Sequence, residues 1–127
     1  MKILVVEDQP VELKLAVLVL KAAGHEADGA IAAEQALDAI REDRPDVLLL
    51  DLSLPGMDGL ALARKLKADP ATREIQIVAV TSWPDRFTKA DARDAGCDAY
   101  LEKPLSTRLL PQALMDIVRN SEGESSS

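Results

Sequence analysis

A chain of 127 residues, 47% of them hydrophobic, is sized for one domain around a single sizeable core. Its 15 basic and 22 acidic residues leave a net charge of −7, which repels phosphate backbones and anionic bilayers and argues against direct contact with nucleic acid or membrane. No apolar run approaches the ~18 residues of a membrane span, and Met1-Lys2 leads straight into Ile3-Leu4-Val5-Val6 without a signal-peptide layout, so a cytoplasmic protein is expected.

The first strand is predicted at residues 3–6, followed by Glu7-Asp8 and a helix over 10–23 that Gly24 stops. A weak strand at 26–30 and a helix over 32–42 come next. The apolar run at 47–50 is the third strand; it is followed by Asp51 and by a Pro-Gly turn within LSLPGMDG. A helix over 60–68 is stopped by Asp69-Pro70, and a fourth strand at 77–80 is followed by Thr81-Ser82. Residues 88–95 form a helix stopped by Gly96, and the single cysteine, Cys97, reads as a small apolar residue without a disulfide partner. The fifth strand, 99–102, leads to Lys103-Pro104 and a last helix over 106–119, in which Pro111 should distort the first turn. The expected layout is one folded domain at 1–119 and a disordered polar tail at 120–127 ending in SEGESSS.

Strands that are apolar on consecutive residues are buried on both faces, and single helices between them supply the crossovers of a parallel sheet. Five such units predict a flavodoxin-like (βα)5 doubly wound sheet with strand order 2-1-3-4-5. In open parallel sheets the functional crevice lies outside the carboxyl ends of the strands, next to the reversal of strand order. Glu7, Asp8, Asp51, Thr81, Ser82 and Lys103 all fall on that rim. Two carboxylates a few ångströms apart repel by roughly 4 kcal/mol at an effective dielectric near 20, so three together call for a cation. A hard divalent ion such as Mg²⁺ fits, because it takes one or two carboxylates and leaves room for phosphate oxygens. With Lys103 opposite and Thr81 as a donor, the set suits a phosphoryl group in transfer, with Asp51 as the attacking oxygen.

Taken singly, these residues have plainer readings. Asp8 could equally cap the helix entered at Pro10, Thr81 or Ser82 could brace a loop, Lys103 could lie on the surface, and Tyr100 could simply pack. Asp51 differs, since a charge closing a buried strand is seldom decorative.

The segments VVEDQP, LLLDLSLPGMDG, VAVTS and AYLEKP together resemble the receiver domain of two-component response regulators, of the chemotaxis-regulator kind, over residues 2–119. The resemblance implies that Asp51 accepts phosphate from a histidine kinase or histidine phosphotransfer protein. It implies that Glu7, Asp8, Asp51 and the Ser53 backbone carbonyl hold Mg²⁺ (or Mn²⁺), that Thr81 and Lys103 bind the phosphoryl oxygens, and that Tyr100 is the switch aromatic. It also implies a phosphoacceptor rather than an enzyme, and a single-domain regulator acting on a downstream protein target. The alternatives are a fragment of a larger regulator and an aspartyl-phosphate hydrolase, although the hydrolase would want an acid where Ser53 stands. A flavin carrier is disfavoured by 2% aromatic content and by the lack of a phosphate-binding loop after the first strand.

The only histidine, His25, is expected at the far edge of the sheet, so the phosphoryl donor must be another molecule. Assigning Leu15, Ala16, Val19, Leu20 and Ala23 to the inner face of the first helix leaves Leu13, Val17 and Leu18 outside as a partner patch, with loop burial or self-association as alternatives. Trp83 and Phe87 are read outward as a second partner surface, the alternative being an indole that shields the phosphoryl group from water. Leu105 replaces the Phe that often follows the family's Lys-Pro pair.

Overall fold

The computed structural model describes residues 1–54 and 58–126, with side chains up to 120, so the expected Pro-Gly turn and most of the polar tail lie outside the described side chains. Five parallel strands, β1 (Lys2–Val6), β2 (Glu26–Ala30), β3 (Val47–Asp51), β4 (Gln76–Thr81) and β5 (Ala99–Glu102), form one sheet in the order β2-β1-β3-β4-β5. The helices are α1 (Pro10–Ala22), α2 (Ala33–Glu42), α3 (Gly59–Ala68), α4 (Lys89–Asp94) and α5 (Leu110–Ser126). The chain therefore has the flavodoxin-like arrangement expected from its alternation.

Both faces of the sheet are covered, and the central strands divide their residues between two cores. Leu4, Val6, Leu48, Leu50, Ile77 and Ala79 meet α2, α3 and α4 through Ala36, Ile40, Leu62, Leu66 and Ala92. The alternate residues Ile3, Val5, Val47, Leu49, Val78 and Val80 meet α1 and α5 through Ala16, Leu20, Leu110 and Leu114. This two-sided burial explains the unbroken apolar runs. The register pairs Val6 with Leu50, Asp51 with Val80, and Thr81 with Glu102, so the carboxyl ends of adjacent strands finish together on one rim.

Local chemistry sets the helix ends. Asp58 caps α3 by accepting from Ala61 N at 2.7 Å, and Thr88 with Asp91 forms a reciprocal capping box on α4. Gly24 and Gly96, the expected stops, have φ of 93° and 94°, a region that disfavours side chains with a Cβ.

Four expectations need correction. The last helix begins at Leu110 rather than 106, after a turn in which Leu109 N and Leu110 N bond back to Ser106 O and Thr107 O. Pro111 thus sits in the first turn of α5, where its missing N–H leaves no bond unmade, and no distortion follows. Leu13 and Val17 pack against the core beneath α1, whereas Leu15 is 46% exposed and joins Val11 and Leu18 on the outside. Leu13 is drawn inward because β2 offers Gly29 there; a Cβ on Gly29 would stand 2.8 Å from Leu13 Cδ1. Phe87, only 9% exposed, belongs to the core on the α2–α4 side, not to a partner surface.

Candidate functional site

The rim is built by strand ends. Asp51 and Thr81 are the last residues of β3 and β4, one step earlier than the sequence reading placed them, so both backbones are locked in the ladder. Asp51 is 5% exposed and Glu7 6%, and Thr81 is fully buried. Buried polar groups of this kind are retained only where something satisfies them.

One oxygen from each of Glu7, Asp8 and Asp51 can be chosen so that all three lie within 4.8 Å of one another. Asp8 does not cap α1: Gln9 is the N-cap, no side chain caps the helix, and Pro10 opens it. The plainer reading of Asp8 therefore fails, and its carboxylate stays with the cluster. Asp51 is held by its neighbour Ser53, whose amide and hydroxyl donate to Oδ1 at 2.9 and 2.8 Å. Its other oxygen, Oδ2, lies 3.2 Å from Lys103 Nζ. The lysine arrives from the Lys103–Pro104 segment after β5, whose peptide bond is cis, and its amide donates to Thr81 O at 2.8 Å.

Lys103 Nζ also donates to Glu7 Oε1 and, at 2.8 Å, to Glu12 Oε2. Burial pushes the Glu7 carboxyl up to about 8, with Glu12 and Asp51 adding to the rise and Lys103 opposing it. For Asp51, burial works upward, but the hydrogen bonds to Glu7 and Ser53 and the charge of Lys103 outweigh it and leave the carboxyl below its ordinary range. Burial likewise works against the Lys103 ammonium, and its carboxylate partners hold it well above its usual value. The rim thus keeps an ionised, oriented Asp51 beside acidic groups that a hard divalent cation suits: oxygen ligands only, outnumbering the one ammonium.

The residues expected on the rim come together there. Thr81 Oγ1 accepts from Trp83 N at 3.0 Å, tying the start of the β4–α4 connection to the strand end. Trp83 itself is 54% exposed, turned outward as read. Tyr100 stands apart from the acceptor and donates its hydroxyl to Phe87 O at 2.6 Å, at the other end of that connection. His25 lies at the opposite edge, its Nδ1 3.3 Å from the Met1 amine.

Over residues 3–115 the chain matches the response regulator receiver domain model. It belongs to that family. The receiver is 36% identical over 104 residues to the polar-differentiation response regulator DivK of Brucella anthropi, covering 82% of this chain and 85% of the relative. Its fold matches a CheY-like response regulator receiver domain protein from Methanospirillum hungatei with a TM-score of 0.86 and 27% identity, over 96% of both chains. The chemotaxis response regulator CheY4 of Vibrio cholerae shares the fold at a TM-score of 0.83 and 24% identity, over 91% of this chain and 97% of that one. No helix among the described residues is long and apolar enough to cross a membrane.

Two residues of the receiver site escaped the sequence reading. Gly59 lets α3 press on the acceptor strand: a Cβ there would meet Leu52 Cα at 2.6 Å and Asp51 O at 2.8 Å. The Asp-Gly pair closing LPGMDG was its available signal. Glu12 was passed over because α1 was read for its apolar face alone; its place in the first turn of a helix that starts at the rim was the clue.

Proposed function

We propose that this receiver takes a phosphoryl group onto Asp51 from a phosphohistidine of a sensor histidine kinase or histidine phosphotransfer protein. The observation that carries the reading is the convergence of three near carboxylates, an ammonium and a buried hydroxyl on one rim, with Asp51 oriented by Ser53. Asp51 Oδ forms the new bond to phosphorus while the donor's P–N bond breaks, and its electron pair returns to the imidazole, which takes up a proton. Glu7, Asp8, Asp51 and the Ser53 carbonyl would hold Mg²⁺, or Mn²⁺ in its place, which supplies charge neutralisation for the phosphoryl oxygens. Lys103 and the Thr81 hydroxyl bind the remaining oxygens.

Signal output follows from the bonds described. The β4–α4 connection is held at Trp83 N by Thr81 and at Phe87 O by Tyr100. When Thr81 turns to the phosphoryl group it releases Trp83, the connection shifts, and Tyr100 changes position, so phosphate biases a two-state equilibrium. The donor docks on the outer stripe of α1, Val11, Leu15 and Leu18, spaced at i, i+4 and i+7. Trp83 offers a further contact for a protein target. The receiver acts in the cytoplasm as a phosphoacceptor that takes part in its own phosphorylation and dephosphorylation, rather than as an enzyme on external substrates. A hydrolase is disfavoured because the hydroxyl of Ser53, not an acid, stands beside Asp51.

Transfer from phosphorylated histidine kinases of the host tests this. One kinase or phosphotransfer protein should pass a hydroxylamine-labile label to the wild type and none to Asp51→Asn. Equal labelling of both proteins would refute the site.

A further inference from the structure

We propose that Glu12 is a positioning residue that draws Lys103 toward α1 and so restrains phosphoryl uptake by Asp51. The proposal rests on the phosphoacceptor reading and adds to it a residue outside the metal-binding and acceptor set.

An ammonium has three N–H donors. In Lys103 each has a carboxylate: Glu7 Oε1, Glu12 Oε2 at 2.8 Å and Asp51 Oδ2 at 3.2 Å. The contact to Asp51 is the longest of the three, so the lysine leans away from the acceptor. A phosphoryl oxygen on Asp51 must be given one of these donors. Glu7 is buried, so water cannot replace the bond it would lose. Glu12 has a side chain 54% exposed, so water readily replaces the ammonium there. Glu12 is therefore the partner Lys103 must leave.

Helix electrostatics do not account for this contact. An acid in the first turn of α1 favours the helix dipole from any rotamer, including one directed to solvent. Instead the side chain reaches a lysine 91 positions away in sequence. The pair joins α1 to the β5–α5 connection in the lining of a cavity of about 480 Å³, which Val5, Leu49 and Leu110 also line. Its strength is that of a half-exposed ion pair, so the restraint is modest and tunable.

The test compares Glu12→Gln with Glu12→Asp in uptake from acetyl phosphate with Mg²⁺. Gln keeps an acceptor oxygen but removes the charge that holds the ammonium, whereas Asp keeps the charge and the first-turn acid but is one methylene too short for the contact. A restraint through Lys103 predicts that both variants gain a phosphoryl group about two- to fivefold faster than wild type, the range of one partly exposed ion pair. If only Glu12→Gln accelerates, the effect is repulsion of an anionic donor and the proposal falls. If both are unchanged or slower, Glu12 orients Lys103 rather than withholding it, and the proposal falls equally. A wild-type chain that gains no phosphoryl group would overturn the functional reading and this restraint with it, and that outcome is distinct because it precedes any comparison of variants.

Discussion

Each edge of the sheet carries a partly buried lysine clasped by oxygens, and the two clasps are built to opposite ends. At the amino-terminal edge Lys67 Nζ donates to Arg73 O at 3.1 Å, Ile75 O at 2.7 Å and Asp98 Oδ2 at 3.0 Å. The same Asp98 oxygen accepts from Ile77 N at 2.8 Å, so α3, β4 and the start of β5 are stapled by one ammonium and one carboxylate. At the carboxyl-terminal edge Lys103 faces Glu7, Glu12 and Asp51, with Asp8 beside them. The first clasp is balanced in charge and complete in hydrogen bonds; the second sets four acidic side chains against one cation, and Glu7 holds its proton for want of a second. A partly buried lysine–carboxylate pair is therefore no mark of function in itself. The surplus of charge is the mark, because only a ligand of opposite sign resolves it.

Exchanging the two lysines for an apolar residue should separate the clasps most widely. Lys103→Met should slow phosphoryl uptake by about a hundredfold or more, the scale of losing a preorganised charge on the transferred group. Lys67→Met should leave uptake within about twofold while lowering unfolding stability by about 1 kcal/mol, chiefly through the bond lost at the Ile75 carbonyl, since water reaches Asp98 and the Arg73 carbonyl. Denaturant unfolding beside a labelling time course reads both.

Acidity gives an intermediate effect. With Glu7 pushed up to about 8 from 4.5, the folded metal-free chain keeps a proton that the unfolded chain has lost. Its stability should therefore fall as pH rises from about 4.5 to about 8, and Glu7→Gln should flatten that fall in thermal melts. Since the proton competes with the metal, Mg²⁺ should bind up to about tenfold tighter per pH unit below that point and level off above it. A pH-independent affinity between 6 and 9 would contradict the arrangement.

The smallest expected effect is spectroscopic. Trp83 is the only tryptophan, is turned outward, and its amide is held by Thr81. Its emission should shift slightly on Mg²⁺ addition and again on phosphorylation, and Thr81→Ala should remove the second step. Trp83→Ala should weaken target binding while leaving phosphate lifetime unaltered.

The alternation of apolar runs and stops was enough to read the fold and strand order, because two-sided burial writes itself into consecutive residues such as Val47 to Leu50. The rim residues were legible for the same reason: each ends or follows a recognisable strand. What sequence periodicity could not settle was the rotation of α1, whose many apolar residues fit more than one inner face until Gly29 opened a space for Leu13. Phe87 was misread because Pro84-Asp85-Arg86 is polar, while the ring turns back from that stretch into the core. Pro111 was misread because the boundary of α5 was set by composition, and proline itself marks that boundary.

The central claim, that the rim's charge surplus serves phosphoryl transfer to Asp51, is tested most directly by intact mass and ³¹P NMR after incubation with acetyl phosphate. Wild type and Lys67→Met should each gain one hydroxylamine-labile acyl phosphate with Mg²⁺ and none with the metal chelated, and Asp51→Asn should gain none under either condition. An acyl phosphate formed equally on Asp51→Asn, or formed on wild type without the metal, would contradict the account.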